Sequence, residues 1–145
     1  MAELQLGLEH GWVLTAVVAT VLIHHYWMPY HVISARKTME VFYPHLYAPP
    51  GHKHEKRFNC IQRAHQNSLE NQPAFLVLLL LAGARFPKSA SIAAAVYLLG
   101  RIIYFLSYSS GRPSRRHRGA FMHAANLALL GMVGRWAWEL LQSAP

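Results

Sequence analysis

The chain has 145 residues, of which 53% are hydrophobic and only 14% charged, where a soluble domain carries about a quarter of charged residues. That balance argues against a soluble protein and predicts one membrane-embedded domain over residues 1–145. Lys and Arg number 14 against 6 acids, all of them Glu, for a net charge of +8; one cysteine, Cys60, excludes an intrachain disulfide and a cysteine metal cluster.

Ahead of the first apolar run stand Glu3 and Glu9 and no Lys or Arg. The basic n-region of a cleaved signal peptide is missing, so this run is expected to be retained as a span. Gly11 to Met28 is apolar apart from Thr15, Thr20 and the pair His24–His25. It is close to the shortest stretch that spans a bilayer. Tyr26, Trp27 and Tyr30 gather at its end as an aromatic belt would. Pro29 either kinks the helix or ends it; past a kink, the helix would run on through Ile33 to Lys37. Tyr43 to Gly51 holds three prolines and a glycine and reads as a loop.

Phe58 to Pro73 is polar, and an apolar run from Ala74 to Ala82 follows at once. On one helix, Arg63, Asn67 and Glu70 (i, i+4, i+7) fall within about 60° of one another. A cation, an amide and an anion on a stripe that runs into a membrane are functional candidates by default. The same spacing also suits a plain ion pair that stabilises a bundle. Arg85 to Lys88 is a tight connection. Ser89 to Ser109 forms a third span, with the small residues Ala90, Ala93, Ala94 and Ala95 for close packing. Its far half places Arg101, Tyr104 and Tyr108 on one face. Gly111 to Gly119 is a basic loop, and Ala120 to Leu141 is a fourth span ending near Arg135, Trp136 and Trp138.

The fold class is therefore all-α: an integral membrane four-helix bundle with spans at about 11–30, 58–84, 89–109 and 120–141. Ten of the 14 basic residues lie between Arg36 and Arg63 or between Arg112 and Arg118. The positive-inside rule puts both of these segments on the cytosolic side. Topology thus accounts for the basic excess, and no nucleic-acid motif accompanies it. At that end Arg36, Lys37, Arg63, Asn67, Glu70, Arg101, Tyr104, Tyr108 and Arg115 would gather. Such a pocket suits a small ligand with two carboxylates and an ammonium, because Arg pairs carboxylates bidentately and Glu70 can take the ammonium. A cation beside a thiol also favours the thiolate.

Asn59 to Glu70, with Val32 to Lys37 before it and Gly100 to Tyr104 after it, resembles the MAPEG superfamily, the membrane-associated proteins in eicosanoid and glutathione metabolism. The likeness covers nearly the whole chain and is nearest to its type 3 microsomal glutathione transferases, to which leukotriene C synthase is related. The resemblance implies a homotrimer in the endoplasmic reticulum membrane or nuclear envelope, with glutathione as co-substrate bound between subunits on the cytosolic side. It implies that Arg63, Asn67, Glu70, Arg36, Tyr104 and Tyr108 hold glutathione and that Arg115 stabilises its thiolate, with Arg116 one residue away. Lys37 and His65 fall where the synthase has an arginine and a glutamine, and Arg101 completes the set of binding candidates. Asn71 replaces a tyrosine that follows the glutamate in the synthase, which weakens leukotriene synthesis as a sole activity. The non-catalytic member of the superfamily lacks the arginine matching Arg63, so its presence favours an enzyme.

The expected activity is conjugation of glutathione to apolar electrophiles, or reduction of lipid hydroperoxides, with the apolar substrate entering from membrane lipid. A non-catalytic lipid-binding scaffold of the same fold is the alternative. An ion-coupled transporter is disfavoured, since no internal repeat or broken helix pair is present. No metal is expected: His52 and His54 belong to a solvated loop, and adjacent His24 and His25 point to different faces of the first helix. Cys60 is expected to be inert. Ala124 and Ala128 form a small-residue packing pair.

Overall fold

A computed structural model describes residues 6–143; Glu3 lies outside them. Five α-helical segments carry the fold: α1 Leu8–Val21, α2 Met28–Thr38, α3 Glu55–Arg85, α4 Pro87–Tyr108 and α5 Met122–Gln142. No strand occurs among the described residues. A π-helical turn, Leu22–Trp27, joins α1 to α2, so Leu8–Thr38 is one continuous helix. Pro29 does not end it. Proline lacks the N–H that an α-helix needs at that point, and the winding widens just before it: the Met28 N–H reaches back five residues to the Ile23 carbonyl. The helix stops at Glu40, which adopts the left-handed conformation at φ 56°. The Val41 N–H then closes on the Arg36 carbonyl at 3.1 Å, as helix C-termini commonly do.

Among the described residues, two helices are long and apolar enough to cross a membrane, Leu8–Thr38 and α4. The first half of α3 carries the polar stripe, and α5 carries His123, Asn126, Arg135 and Glu139, so these two are less apolar. Large apolar side chains nevertheless cover the outside: Trp12, Leu14 and Val18 on α1, Ile92 and Leu99 on α4, and Leu127 and Leu130 on α5 are each more than half exposed. A surface of that kind is made for lipid. The Thr15 and Thr20 hydroxyls of α1 donate to the Gly11 and Ala16 carbonyls of the same helix.

Inside, α3 buries Phe58, Ile61, Ala64, Ser68, Gln72, Phe75, Leu79 and Ala82 at steps of three and four, which is one helical face. Phe75 stacks flat on Tyr97 of α4, centroids 3.8 Å apart. Ala82, Ala90 and Ala94 let the backbones approach, and in lipid that close packing is a principal attraction between helices. The pair His24–His25 also serves packing. Both rings meet the Gln72 amide oxygen, at 3.4 and 3.0 Å, and the His65 ring bonds the His24 carbonyl at 2.9 Å. The two rings converge on one acceptor because the wider π turn narrows the angle between successive side chains below the 100° or so of an α-helix.

Beyond α4 the chain makes a 3₁₀ turn, Pro113–Gly119, which folds back onto α4. Gly119 makes this possible. A Cβ there would overlap the Gly100 carbonyl and come within 2.7 Å of the Tyr104 Cβ. Gly119→Ala is expected to destabilise the bundle by about 1–3 kcal/mol. Gly131→Ala, in α5 with nothing within 4 Å of its Cβ, is expected to be neutral or stabilising by up to about 1 kcal/mol. Thermal unfolding of the two variants in detergent checks the contrast; equal melting temperatures would show that the turn does not need this contact.

Candidate functional site

The docked turn meets three helices, α3, α4 and the start of α5, at one end of the bundle, and a cavity of about 300 Å³ lies between these four elements. From α3 come Arg63, Asn67 and Asn71, one helical turn apart. From α4 come Tyr104 and Tyr108, whose rings meet edge to face at 5.7 Å. The 3₁₀ turn and the start of α5 add Arg116, His117, Met122 and His123. Two guanidinium groups and two phenols thus face a space with no carboxylate in its wall.

Glu70 stands outside that wall but is tied to it: its Oε1 accepts from Arg63 Nη1 at 2.7 Å. The two side chains are 41% and 45% exposed, so the pair adds at most about 1 kcal/mol to stability and is free to exchange partners. Behind the wall lies Arg101, 1% exposed. Its Nη1 donates to Asn67 Oδ1 at 2.9 Å and its Nε to the Tyr97 hydroxyl at 3.0 Å. The guanidinium also sits over the Tyr97 and Tyr104 rings, 5.1 and 5.8 Å from their centroids. No carboxylate pairs with it among the described residues. A buried cation held only by neutral groups is costly and favours an anion in the adjoining cavity. The Asn67 side chain is oriented at the same time, its amide oxygen fixed by Arg101, while Asn71 Nδ2 donates to the Asn67 backbone carbonyl at 2.8 Å.

The remaining sequence candidates lie elsewhere. Arg36 is buried, 7% exposed. Its guanidinium is occupied by the carbonyls of Val41, His45 and Leu46 and by Gln62 Oε1, at 2.7 to 3.4 Å. It fastens the loop after α2. Lys37 is exposed at the end of α2, and His65 turns towards the first helix. Arg115 is not in the cavity wall, whereas Arg116 is. Asn71, His117 and His123 were missed as candidates. Asn71 was within reach, since it extends the stripe of Arg63 and Asn67 by four residues. The two histidines carry no periodic signal that links them to α3. In the loop, His52 Nδ1 accepts the His54 N–H at 3.1 Å, so the pair His52–His54 caps its own backbone.

Two apolar grooves mark the outer surface. One, about 530 Å³, separates α1 from α4 between Trp12, Ala16, Ile92 and Leu98. The other, about 370 Å³, runs between α4 and α5 past Val96, Ala125, Ala128 and Met132. Met122 in the cavity wall and Ala125 in this second groove share a face of α5, so the groove starts beside the polar cavity.

An all-helical bundle with an apolar outer surface and an arginine- and tyrosine-lined cavity at one end is a membrane-protein architecture. The chain belongs to the MAPEG family, whose model matches residues 13–138; the family is membrane-bound. It is 36% identical over 111 residues to leukotriene C4 synthase of Bos taurus, covering 76% of this chain and 68% of the relative. It is 33% identical over 132 residues to leukotriene C4 synthase of Rattus norvegicus, covering 88% and 82%. Microsomal glutathione S-transferase 2 of Mus musculus is 34% identical over 103 residues, covering 67% and 70%.

Proposed function

We propose that the chain is a membrane-bound glutathione transferase that takes glutathione into the end cavity and conjugates it to apolar electrophiles. The observation that carries this reading is the cavity wall itself: Arg63 and Arg116 in front, Arg101 buried behind, and the Tyr104 and Tyr108 phenols beside them. Glutathione has two carboxylates, one ammonium and one thiol. Guanidinium groups match the carboxylates, Glu70 at the rim matches the ammonium, and a loop arginine matches the thiolate. The names of the relatives, leukotriene C4 synthase and microsomal glutathione S-transferase 2, support the same co-substrate.

The chain supplies no covalent nucleophile. The thiolate forms the new C–S bond and the electrophile releases its leaving group or opens its ring. With a lipid hydroperoxide the thiolate attacks the outer peroxide oxygen. The O–O bond breaks, the alkoxide takes a proton to give the alcohol, and the sulfenic acid of glutathione reacts with a second glutathione to give disulfide and water. The groove between α4 and α5 is the proposed path for the apolar partner. The rest of the reading is a homotrimer of four-span subunits in the endoplasmic reticulum membrane or nuclear envelope, with glutathione bound between subunits and the cavity facing the cytosol.

Turnover of detergent-purified protein with glutathione, an electrophile panel and a lipid hydroperoxide tests the proposal. Conjugate formation supports it; binding of lipid with no turnover of any of these would leave the non-catalytic scaffold. Native mass spectrometry is expected to show three chains in the active species, and a monomer with full activity would reject the trimer.

A further inference from the structure

A second recess, of about 370 Å³ and with a mixed polar and apolar lining, lies between α2, α3 and α4. We propose that it binds one anionic phospholipid from the bilayer, with the phosphate on Arg57 and Ser109 and the acyl chains along the outer face of α2 and α4. Arg57 forms no ion pair among the described residues, and no carboxylate lines the recess. Ser109 lines the recess, and its buried hydroxyl has no hydrogen-bond partner among the described residues, which leaves a donor for a phosphate oxygen. The backbone behind the cation is fixed, since Gly111, at φ 79°, lies so close that a Cβ there would be 3.3 Å from the Arg57 Cα.

The inner wall is apolar, formed by Ile61, Phe105 and Leu106. A free inorganic anion gains nothing from such a wall, whereas a lipid does. Depth agrees as well. Tyr30 borders the recess and is 70% exposed, with Tyr26 four residues before it at 66%. Exposed tyrosines of this kind mark the headgroup level of a bilayer, where anionic lipid gains about 1 kcal/mol per basic residue. The inference needs only the membrane location and not the glutathione reading.

The test uses full-length protein stripped of lipid in a non-ionic detergent. Native mass spectrometry follows retention of phosphatidylglycerol, phosphatidylcholine and inorganic phosphate. Phosphatidylglycerol is expected at one per chain, preferred over phosphatidylcholine by about fivefold or more. Arg57→Gln should abolish that preference, Arg57→Lys should keep part of it, and Ser109→Ala should weaken retention. Trp27 packs 5.2 Å from Phe105, so in a protein with Trp12, Trp136 and Trp138 replaced by Phe, a brominated phosphatidylglycerol should quench its fluorescence, and less so after Arg57→Gln. Equal retention of the two lipids, retention unchanged in Arg57→Gln, or full displacement by millimolar inorganic phosphate would overturn the proposal. If Arg57→Gln does not fold, Arg57→Lys and Ser109→Ala decide. Glutathione turnover of these variants should match the wild type, so this site and the end cavity are read separately.

Discussion

One of two single substitutions, Arg115→Ala or Arg116→Ala, is expected to lower glutathione conjugation at pH 7 by about 10- to 30-fold and to recover most of it near pH 9. A free thiol titrates near about 8.5, so only a few per cent of glutathione is thiolate at neutral pH. A guanidinium held beside the sulfur stabilises the anion, at roughly 1.36 kcal/mol for each pKa unit of depression. The sign follows directly. The lowered thiol pKa helps most between its bound and free values, and above the free value the thiol ionises unaided. Losing the guanidinium therefore harms turnover at neutral pH and spares it in alkali, while binding of glutathione changes much less than turnover. The family resemblance proposes Arg115 for this role, whereas Arg116 is the one of the two that lines the cavity. The pH–rate profiles of both variants decide. If neither differs from the wild type at any pH, the whole turn is only a cluster of topology charges.

That one-residue question has a physical origin. In a 3₁₀ turn, neighbouring side chains point about 120° apart, so a slip of one position changes which arginine enters the cavity. Four arginines lie within seven residues there, and nothing in their spacing selects one. Where the backbone is a regular α-helix, spacing was informative. Arg63 and Asn67 share a wall with Tyr104 and Tyr108, each pair being four residues apart on one helical face. Even so, the stripe did not show that Arg101 would bond Asn67 across two helices. That contact depends on how α3 and α4 pack.

Arg36 illustrates a different limit. Its partners are loop carbonyls at positions 41, 45 and 46. Every residue has such an acceptor, so no side-chain pattern announces the contact. The π turn was hidden for a similar reason: Pro29 signals a disturbed helix, but whether the helix breaks, bends or widens is settled by what packs against it. Here Gln72 and His65 of α3 engage the widened turn. Long apolar runs and the proline-rich loop, by contrast, were legible from composition alone.

Glu70→Gln is expected to weaken glutathione binding by at least about tenfold, which is 1.4 kcal/mol, while leaving the melting temperature nearly unchanged. Both halves follow from the exposure of the ion pair. Arg63 and Glu70 are 41% and 45% exposed, so water already screens them and the amide removes at most about 1 kcal/mol of folding energy. A bound ligand would exclude that water. Its carboxylate can take Arg63 from Glu70 and its ammonium can take Glu70, and each exchanged pair is then less screened than the one it replaces. The amide keeps the size and one acceptor oxygen but not the charge. A control separates this from a general disturbance of the cavity: a glutathione analogue without the α-amino group should bind the wild type and Glu70→Gln almost equally, since the partner of the carboxylate is gone from both complexes. A double-mutant cycle over protein and ligand then yields the coupling energy of this one pair. An equal loss for glutathione and the analogue would mean that Glu70 acts by holding Arg63 in place, and an unchanged dissociation constant would remove it from the site.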